Sequence, residues 1–144
     1  MKFVFLSEDF YKDYNIKECK ELLHKEHRPY VMLLARIDGV LFAIPFRSCI
    51  KHSYCFKTVG YKGLDYLKAV VITDVSRYTC TPDKIISVDN REFHKILFNK
   101  DLVIKGFKRF LKEYKKAVML GQHYKRFSYC ALQYFHKELG LLQE

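Results

Sequence analysis

A chain of 144 residues, 49% hydrophobic and 16% aromatic, has the size of one domain and can bury a core of its own. Its 26 lysines and arginines against 16 acids leave a formal charge of +10, which points to a polyanionic partner, nucleic acid ahead of an anionic membrane surface. No apolar run approaches the ~20 residues of a spanning helix and the N-terminus lacks a signal-peptide layout, so the expectation is a cytoplasmic protein with no membrane partner.

Cys19, Cys49, Cys55, Cys80 and Cys130 are scattered, odd in number and without a CxxC pair or a histidine at zinc-ligand spacing. They read as free thiols, with no metal and no cofactor expected. No repeat or Gly/Ser-rich linker interrupts the chain, so residues 1–144 are taken as a single domain.

KFVFL at residues 2–6 suits a strand, and Ser7 before Glu8 and Asp9 suits the N-cap of a short helix through Phe10 and Tyr11. NIKECKELLHK has Asn15 and Glu18 at capping-box spacing, with Ile16, Cys19, Leu22 and Leu23 on one helical face, which predicts a second short helix. YVMLLARI and VLFAIPF then flank Asp38-Gly39, the dipeptide of a two-residue type I′ hairpin. Both arms are nearly continuous in apolar residues, as in the middle of a curled sheet or small barrel. YCFKT, KAVVI after Gly63-Leu64-Asp65, and KIISV before residue 89 bring the total to about six strands. Asp89 with Glu92 is a further capping box, opening a helical stripe of Phe93, Ile96 and Leu97. The stripe resumes at Ile104 and runs through Phe107, Phe110, Leu111, Tyr114 and Val118, while Lys105, Lys108, Arg109, Lys112, Lys115 and Lys116 share the opposite face. A last helix from about Phe127 to Leu139, ended by Gly140, turns Ala131, Tyr134 and Phe135 inward. The class is α+β, a sheet followed by helices.

The stretch IPFRSCIKHS gathers Arg47, Ser48, Lys51 and His52 just past a strand end. Residues 39–64 contain no Asp or Glu but hold Arg47, Lys51, Lys57 and Lys62, so they cannot supply the carboxylates a divalent-metal nuclease needs. They suit metal-free RNA cleavage, in which the 2′-hydroxyl attacks the adjacent phosphate and side-chain cations meet the extra charge. Ser48 can hydrogen-bond a phosphate oxygen or the attacking hydroxyl, and His52 can shuttle a proton near neutral pH. Ser48 and Lys51, three apart, share a side if the chain takes one helical turn there. The same residues also fit a solvated loop with a surface or partly packed histidine, and Cys49 reads as a packed or inert thiol.

KFVFLSEDFYKDY at the N-terminus, RPY at 28–30, the hairpin carrying IDG into FAIPFRS, KH at 51–52 and GLDYLKAVVI at 63–72, in this order and spacing, resemble the ToxN/AbiQ family. These are endoribonuclease toxins of type III toxin–antitoxin systems, which act in abortive infection against phage. The likeness covers about the first half of the chain; the helical remainder agrees in character. It implies a highly curved antiparallel SH3-like barrel with added helices, similar to the MazF and Kid toxins. It also implies metal-independent cutting of cellular or phage mRNA to a 2′,3′-cyclic phosphate and a 5′-hydroxyl. The implied inhibitor is a repeated antitoxin RNA folded as a pseudoknot, which the toxin cuts from a precursor and holds in a closed multimeric protein–RNA ring. By position, Ser48 and Lys51 match the family's active-site serine and lysine, Arg28 stands where a cation precedes the strand, and Tyr30 and His52 are further matches. Where relatives have a small hydroxyl residue and a proline beside the serine, this chain has Arg47 and Cys49, so Arg47 either takes over phosphate contacts or points away.

Residues 100–126 hold nine Lys or Arg against Asp101 and Glu113, which makes the basic helix face a candidate RNA groove as well as a candidate solvated face. Bases of single-stranded segments would stack on aromatics such as Tyr30, Tyr54 or Phe56. A basic module that holds RNA without cutting it, such as a translational regulator, and an adaptor for an acidic protein are the rival functions.

Overall fold

The computed structural model describes residues 2–15, 17–24, 30–81 and 88–141. Arg28 and most of the expected KIISV strand lie outside the described residues. In chain order the elements are β1 (Lys2–Leu6), α1 (Glu8–Asp13), β2 (Met32–Ile37), β3 (Val40–Arg47), β4 (Cys55–Lys57), β5 (Gly63–Asp65), a 3₁₀ turn (Tyr66–Lys68) and β6 (Val70–Val71). Then follow α2 (Val75–Tyr78), β7 (Thr79–Cys80), α3 (Asn90–Phe98), α4 (Lys100–Met119), α5 (His123–Arg126) and a second 3₁₀ turn (Ala131–Tyr134). Among the described residues no helix is long and apolar enough to cross a membrane.

The hairpin forms as its sequence dictates. Asp38 and Gly39 both take positive φ, 51° and 81°, the pair of left-handed residues that a type I′ turn requires. β2 and β3 therefore pair in register from Ile37 with Val40 down to Met32 with Pro45. β3 is buried without interruption from Phe42 to Phe46, because it has β2 on one side and both β5 and β6 on the other. Phe42 meets Phe107 of α4 at 4.9 Å between ring centroids, and Phe46 meets Phe93 of α3 at 5.5 Å, so the two helices cover the face of β3 that carries these rings.

The antiparallel order is β4-β5-β3-β2-β1-β7, with β6 alongside β3. The sheet is open, with β4 and β7 at its ends. Its described part has seven strands, because two short ones, β5 and β7, come from segments that have no strand-like run of their own. β5 owes its place to Gly63: a Cβ there would lie 2.2 Å from the carbonyl oxygen of Phe56, so only glycine lets β4 approach.

Two expected helices take other forms. Residues 17–24 hold turns, not a helix: Asn15 accepts the Lys17 amide on its side chain at 2.8 Å and the Cys19 amide on its carbonyl at 2.7 Å, and beyond them a single turn closes with the Leu22 amide on the Cys19 carbonyl at 3.2 Å. The C-terminal helix expected from about Phe127 to Leu139 does not form: α5 ends before it at Arg126, and within it only the second 3₁₀ turn is helical. Gln133 donates to the carbonyls of Ser128 and Cys130 at 3.0 and 2.8 Å, and Lys68 to that of Tyr129 at 2.7 Å, so these oxygens are taken from the helical ladder. Ala131 and Phe135 are nonetheless buried and Tyr134 is half-buried, and Gly140 takes a positive φ of 71° where the segment was expected to end. Ser7 and Asp89 cap α1 and α3 as their spacing predicts, the latter in a complete capping box with Glu92. Leu97, expected on the apolar stripe, is exposed, since α3 ends at Phe98 and the chain turns at Asn99 before α4.

α4 docks on the sheet through Gly106. The Tyr66 hydroxyl sits 2.8 Å from where a Cβ of Gly106 would be and donates to the carbonyl of Val103 at 2.8 Å. This locks the helix to the segment that follows β5. Gly63→Ala is expected to lower the unfolding free energy by about 1–3 kcal/mol through forced displacement of β4. Urea denaturation reads this directly, and an unchanged midpoint would contradict the β4–β5 pairing.

Candidate active site

β3 delivers Arg47 as its last residue and hands the chain to an irregular loop, residues 48–54, in which Ser48, Cys49 and Lys51 are exposed. Ile50 between them is buried, and its amide donates to the Tyr61 carbonyl at 2.9 Å, so the loop is pinned at its middle while Ser48, Cys49 and Lys51 stay exposed. Cys49, expected to pack or be inert, is open to solvent. The pairing of β3 with β5 and of β5 with β4 sets Arg47, Gly63 and Lys57 in one row across three strands, and cross-strand neighbours share a face. Extending the β2–β3 register through the bond from the Phe46 amide to the Val31 carbonyl brings Tyr30 level with Arg47. Lys62 is exposed in the turn leading into β5.

The residue that organises this row is Asp65. Its side chain has no exposed surface, yet it holds Arg47 Nη1 at 2.8 Å on Oδ2, while Oδ1 accepts the Leu67 amide at 3.0 Å and caps the 3₁₀ turn. His52 Nε2 also lies 3.0 Å from Oδ1, although the approach is not aligned for a hydrogen bond. The other ring nitrogen of His52 accepts the Tyr54 amide at 3.1 Å, which leaves the proton on Nε2. Both ring nitrogens thus face the protein. Lys68 adds a third cation beneath the row, donating to the carbonyls of Glu21 and Tyr129; burial, and then the Arg47 charge, hold it below the usual lysine range. The Cys55 thiol is pushed up from its ordinary value by burial and then by Asp65.

The acid-free stretch of residues 39–64 is thus complemented by an acid at the next position. Asp65 was missed because its carboxylate turns back under a loop that precedes it by many residues. Its one sequence signal is local, an Asp placed to cap the turn that begins at Tyr66.

The basic face of α4 is divided. Lys105, Lys108, Arg109, Lys112 and Lys116 are exposed and Lys115 is half-buried. Arg109 lines a cleft of about 250 Å³ with Ser53, Tyr54 and Cys55, next to the loop. Lys108, Lys112, Lys115 and Lys116 line a separate cleft of about 680 Å³ with Ile37 and Asp38 at the hairpin turn. The eight residues of β3 separate that turn from Arg47, which is roughly 25 Å at ~3.3 Å per residue. Of the aromatics proposed to stack on bases, Tyr54 packs against Phe110 and Phe127 with its hydroxyl bonded to Arg126, and Tyr30 and Phe56 are partly buried against the core.

Comparison of the chain with family models, with curated proteins and with solved structures found no match.

Asp65→Asn keeps the shape of the side chain and removes its charge, leaving Arg47 uncompensated. The expected loss of stability is about 2–3 kcal/mol, below the range for a fully buried pair because the Arg47 side chain is 31% exposed. Chemical denaturation measures it, and a loss under ~0.5 kcal/mol would show that Asp65 does not hold the loop.

Proposed function

We propose that this chain is a metal-independent, sequence-specific endoribonuclease toxin of the ToxN/AbiQ family, nearest to the CptN toxin, acting in a type III toxin–antitoxin system. One juxtaposition carries the reading: Ser48 and Lys51 open to solvent in the loop that leaves β3, beside an Arg47 held by a buried carboxylate. The reading takes the open antiparallel sheet as a relative of the SH3-like barrel of MazF and Kid.

In the proposed reaction the 2′-oxygen attacks the adjacent phosphorus and the bond from phosphorus to the 5′-oxygen breaks. The 2′-hydroxyl loses a proton and the leaving 5′-oxygen gains one, so the products are a 2′,3′-cyclic phosphate and a 5′-hydroxyl. Negative charge grows on the non-bridging oxygens in the transition state. Lys51 and the exposed part of the Arg47 guanidinium oppose it, and the Ser48 hydroxyl donates to one of those oxygens. Asp65 has its oxygens bonded by Arg47 and the Leu67 amide, with His52 packed against it, which commits it to aiming the chain's own cations. His52 serves in this scheme as a positioning residue, its ring fixed between Asp65 and the Tyr54 amide. Lys57, Lys62 and Arg109 guide the RNA backbone towards the loop, while the lysine cleft at the hairpin end takes a more distant part of the same RNA. The antitoxin RNA pseudoknot would be both product and inhibitor, retained in a closed multimeric protein–RNA complex after cutting.

A non-catalytic RNA-binding regulator is the second reading, favoured by one observation: with both ring nitrogens of His52 turned inward, the loop presents no imidazole to a substrate.

Labelled RNA incubated with the protein in excess chelator separates these readings. Cleavage is expected to persist, with Ser48→Ala and Lys51→Ala each slowing it about a hundredfold or more, equivalent to roughly 3 kcal/mol, and with binding retained. Binding without cleavage by the wild type would establish the regulator; near wild-type rates in both variants would place the chemistry elsewhere. Replacing Lys108, Arg109 and Lys112 together with Gln is expected to flatten the salt dependence of RNA binding by roughly 0.7–0.9 in log–log slope per lost phosphate contact. An unchanged slope would make that helix face a solvated one.

A further inference from the structure

We propose that Tyr61 is the platform on which an unpaired base of the bound RNA stacks, next to the phosphate held at Ser48 and Lys51. The inference rests on the RNA reading of that loop and adds a residue to it. Tyr54 and Phe56, in and beside the loop, are partly buried, Tyr54 with its ring packed against Phe110 and Phe127. Tyr61 is 71% exposed, and among the described residues no ring or cation stacks on it. Phe98, Tyr124 and Tyr129 are also exposed, but Tyr61 is the one whose backbone is bonded to the loop, its carbonyl taking the Ile50 amide at 2.9 Å.

The turn that carries the ring is rigid. Thr58 and Lys62 close it, the Thr58 amide donating to the Lys62 carbonyl at 2.9 Å and the Lys62 amide to the Val59 carbonyl at 2.9 Å, with Gly60 at φ 59°. Its base is tied to α3, since the Thr58 hydroxyl donates to buried Glu92 at 2.6 Å and Lys95 donates to the Thr58 carbonyl at 3.0 Å. A fixed backbone under a bare ring costs little conformational entropy on binding. Lys62 follows Tyr61 in the chain and Lys51 follows the residue hydrogen-bonded to it, so two exposed lysines lie within one residue of it in the chain or across that bond. An aromatic face amid phosphate-binding cations is the arrangement that receives single-stranded nucleic acid, and it accepts any base because every base has a π-face. Such a ring would hold the nucleotide beside the scissile linkage unstacked from its neighbours.

The test is binding of a single-stranded 2′-deoxy octanucleotide carrying 2-aminopurine at its centre, which cannot be cut by 2′-hydroxyl attack. Wild type and Tyr61→Phe are expected to quench the fluorophore alike. Tyr61→Ala is expected to abolish the quenching and to weaken binding roughly five- to hundredfold, with the salt slope unchanged because no phosphate contact is lost. Quenching and affinity retained in Tyr61→Ala would overturn the proposal, as would loss of both in Tyr61→Phe, which keeps the ring. Quenching by a wild type that cuts no RNA would sustain the platform and sink the nuclease; RNA cleavage with no quenching by the wild type would do the reverse. No binding of this probe at all would sink the platform, and RNA cleavage alone would then decide the nuclease.

Discussion

The Asp65 carboxylate has no contact with water, and a charge so placed must be met by groups of the chain itself. Arg47 from the end of β3 and the amide of Leu67 bond to it and are thereby fixed, and His52 from the following loop lies against it. Removing any one leaves part of a buried charge unanswered, which makes the arrangement stiff rather than merely stable. A long cation at a strand end would otherwise sample many rotamers. Here one edge of the guanidinium is bound from below and the remainder stays available to a ligand above.

The same carboxylate joins two layers of the molecule. It caps the 3₁₀ turn at Tyr66, and the Tyr66 hydroxyl reaches the backbone of α4 beside Gly106, where no side chain stands in its way. Burial pushes the Tyr66 phenol above its ordinary range, so it stays a neutral donor to the Val103 carbonyl. α4 is therefore positioned against the loop from within the core, and Arg109 arrives at the cleft beside Ser53 and Tyr54 as a consequence.

Positive charge is distributed by this geometry. Lys51, Lys57, Lys62 and Arg47 come from three different segments and meet at one end of β3, whereas most of the basic residues of α4 lie near the hairpin turn at the other end. A polyanion long enough to span the distance would touch both. Under the proposed RNA reading, phosphate contacts of this kind would position RNA without reading it, which would leave reading to exposed rings and to the loop.

Local chemistry was legible in the sequence alone. Asp38-Gly39 made the hairpin, Ser7 and the Asp89–Glu92 pair began helices, the stripe from Phe107 to Tyr114 buried one side of α4, and the stretch IPFRSCIKHS ended a strand at Arg47 and left Ser48, Cys49 and Lys51 exposed in the loop after it, because each depends on residues within a few positions of one another. Only the tertiary structure decided what distant residues compete for or share. It kept the C-terminal helix from forming by giving its carbonyls to Lys68 and Gln133, made a strand of Gly63–Asp65 because a neighbour needed a partner without a side chain, turned Tyr54 inward and left Tyr61 bare. It also placed Asp65 beneath Arg47 and His52. The physical reason is the same in each case: a hydrogen bond or a burial across the chain outweighs local propensity, and no pattern of spacing along the sequence encodes it.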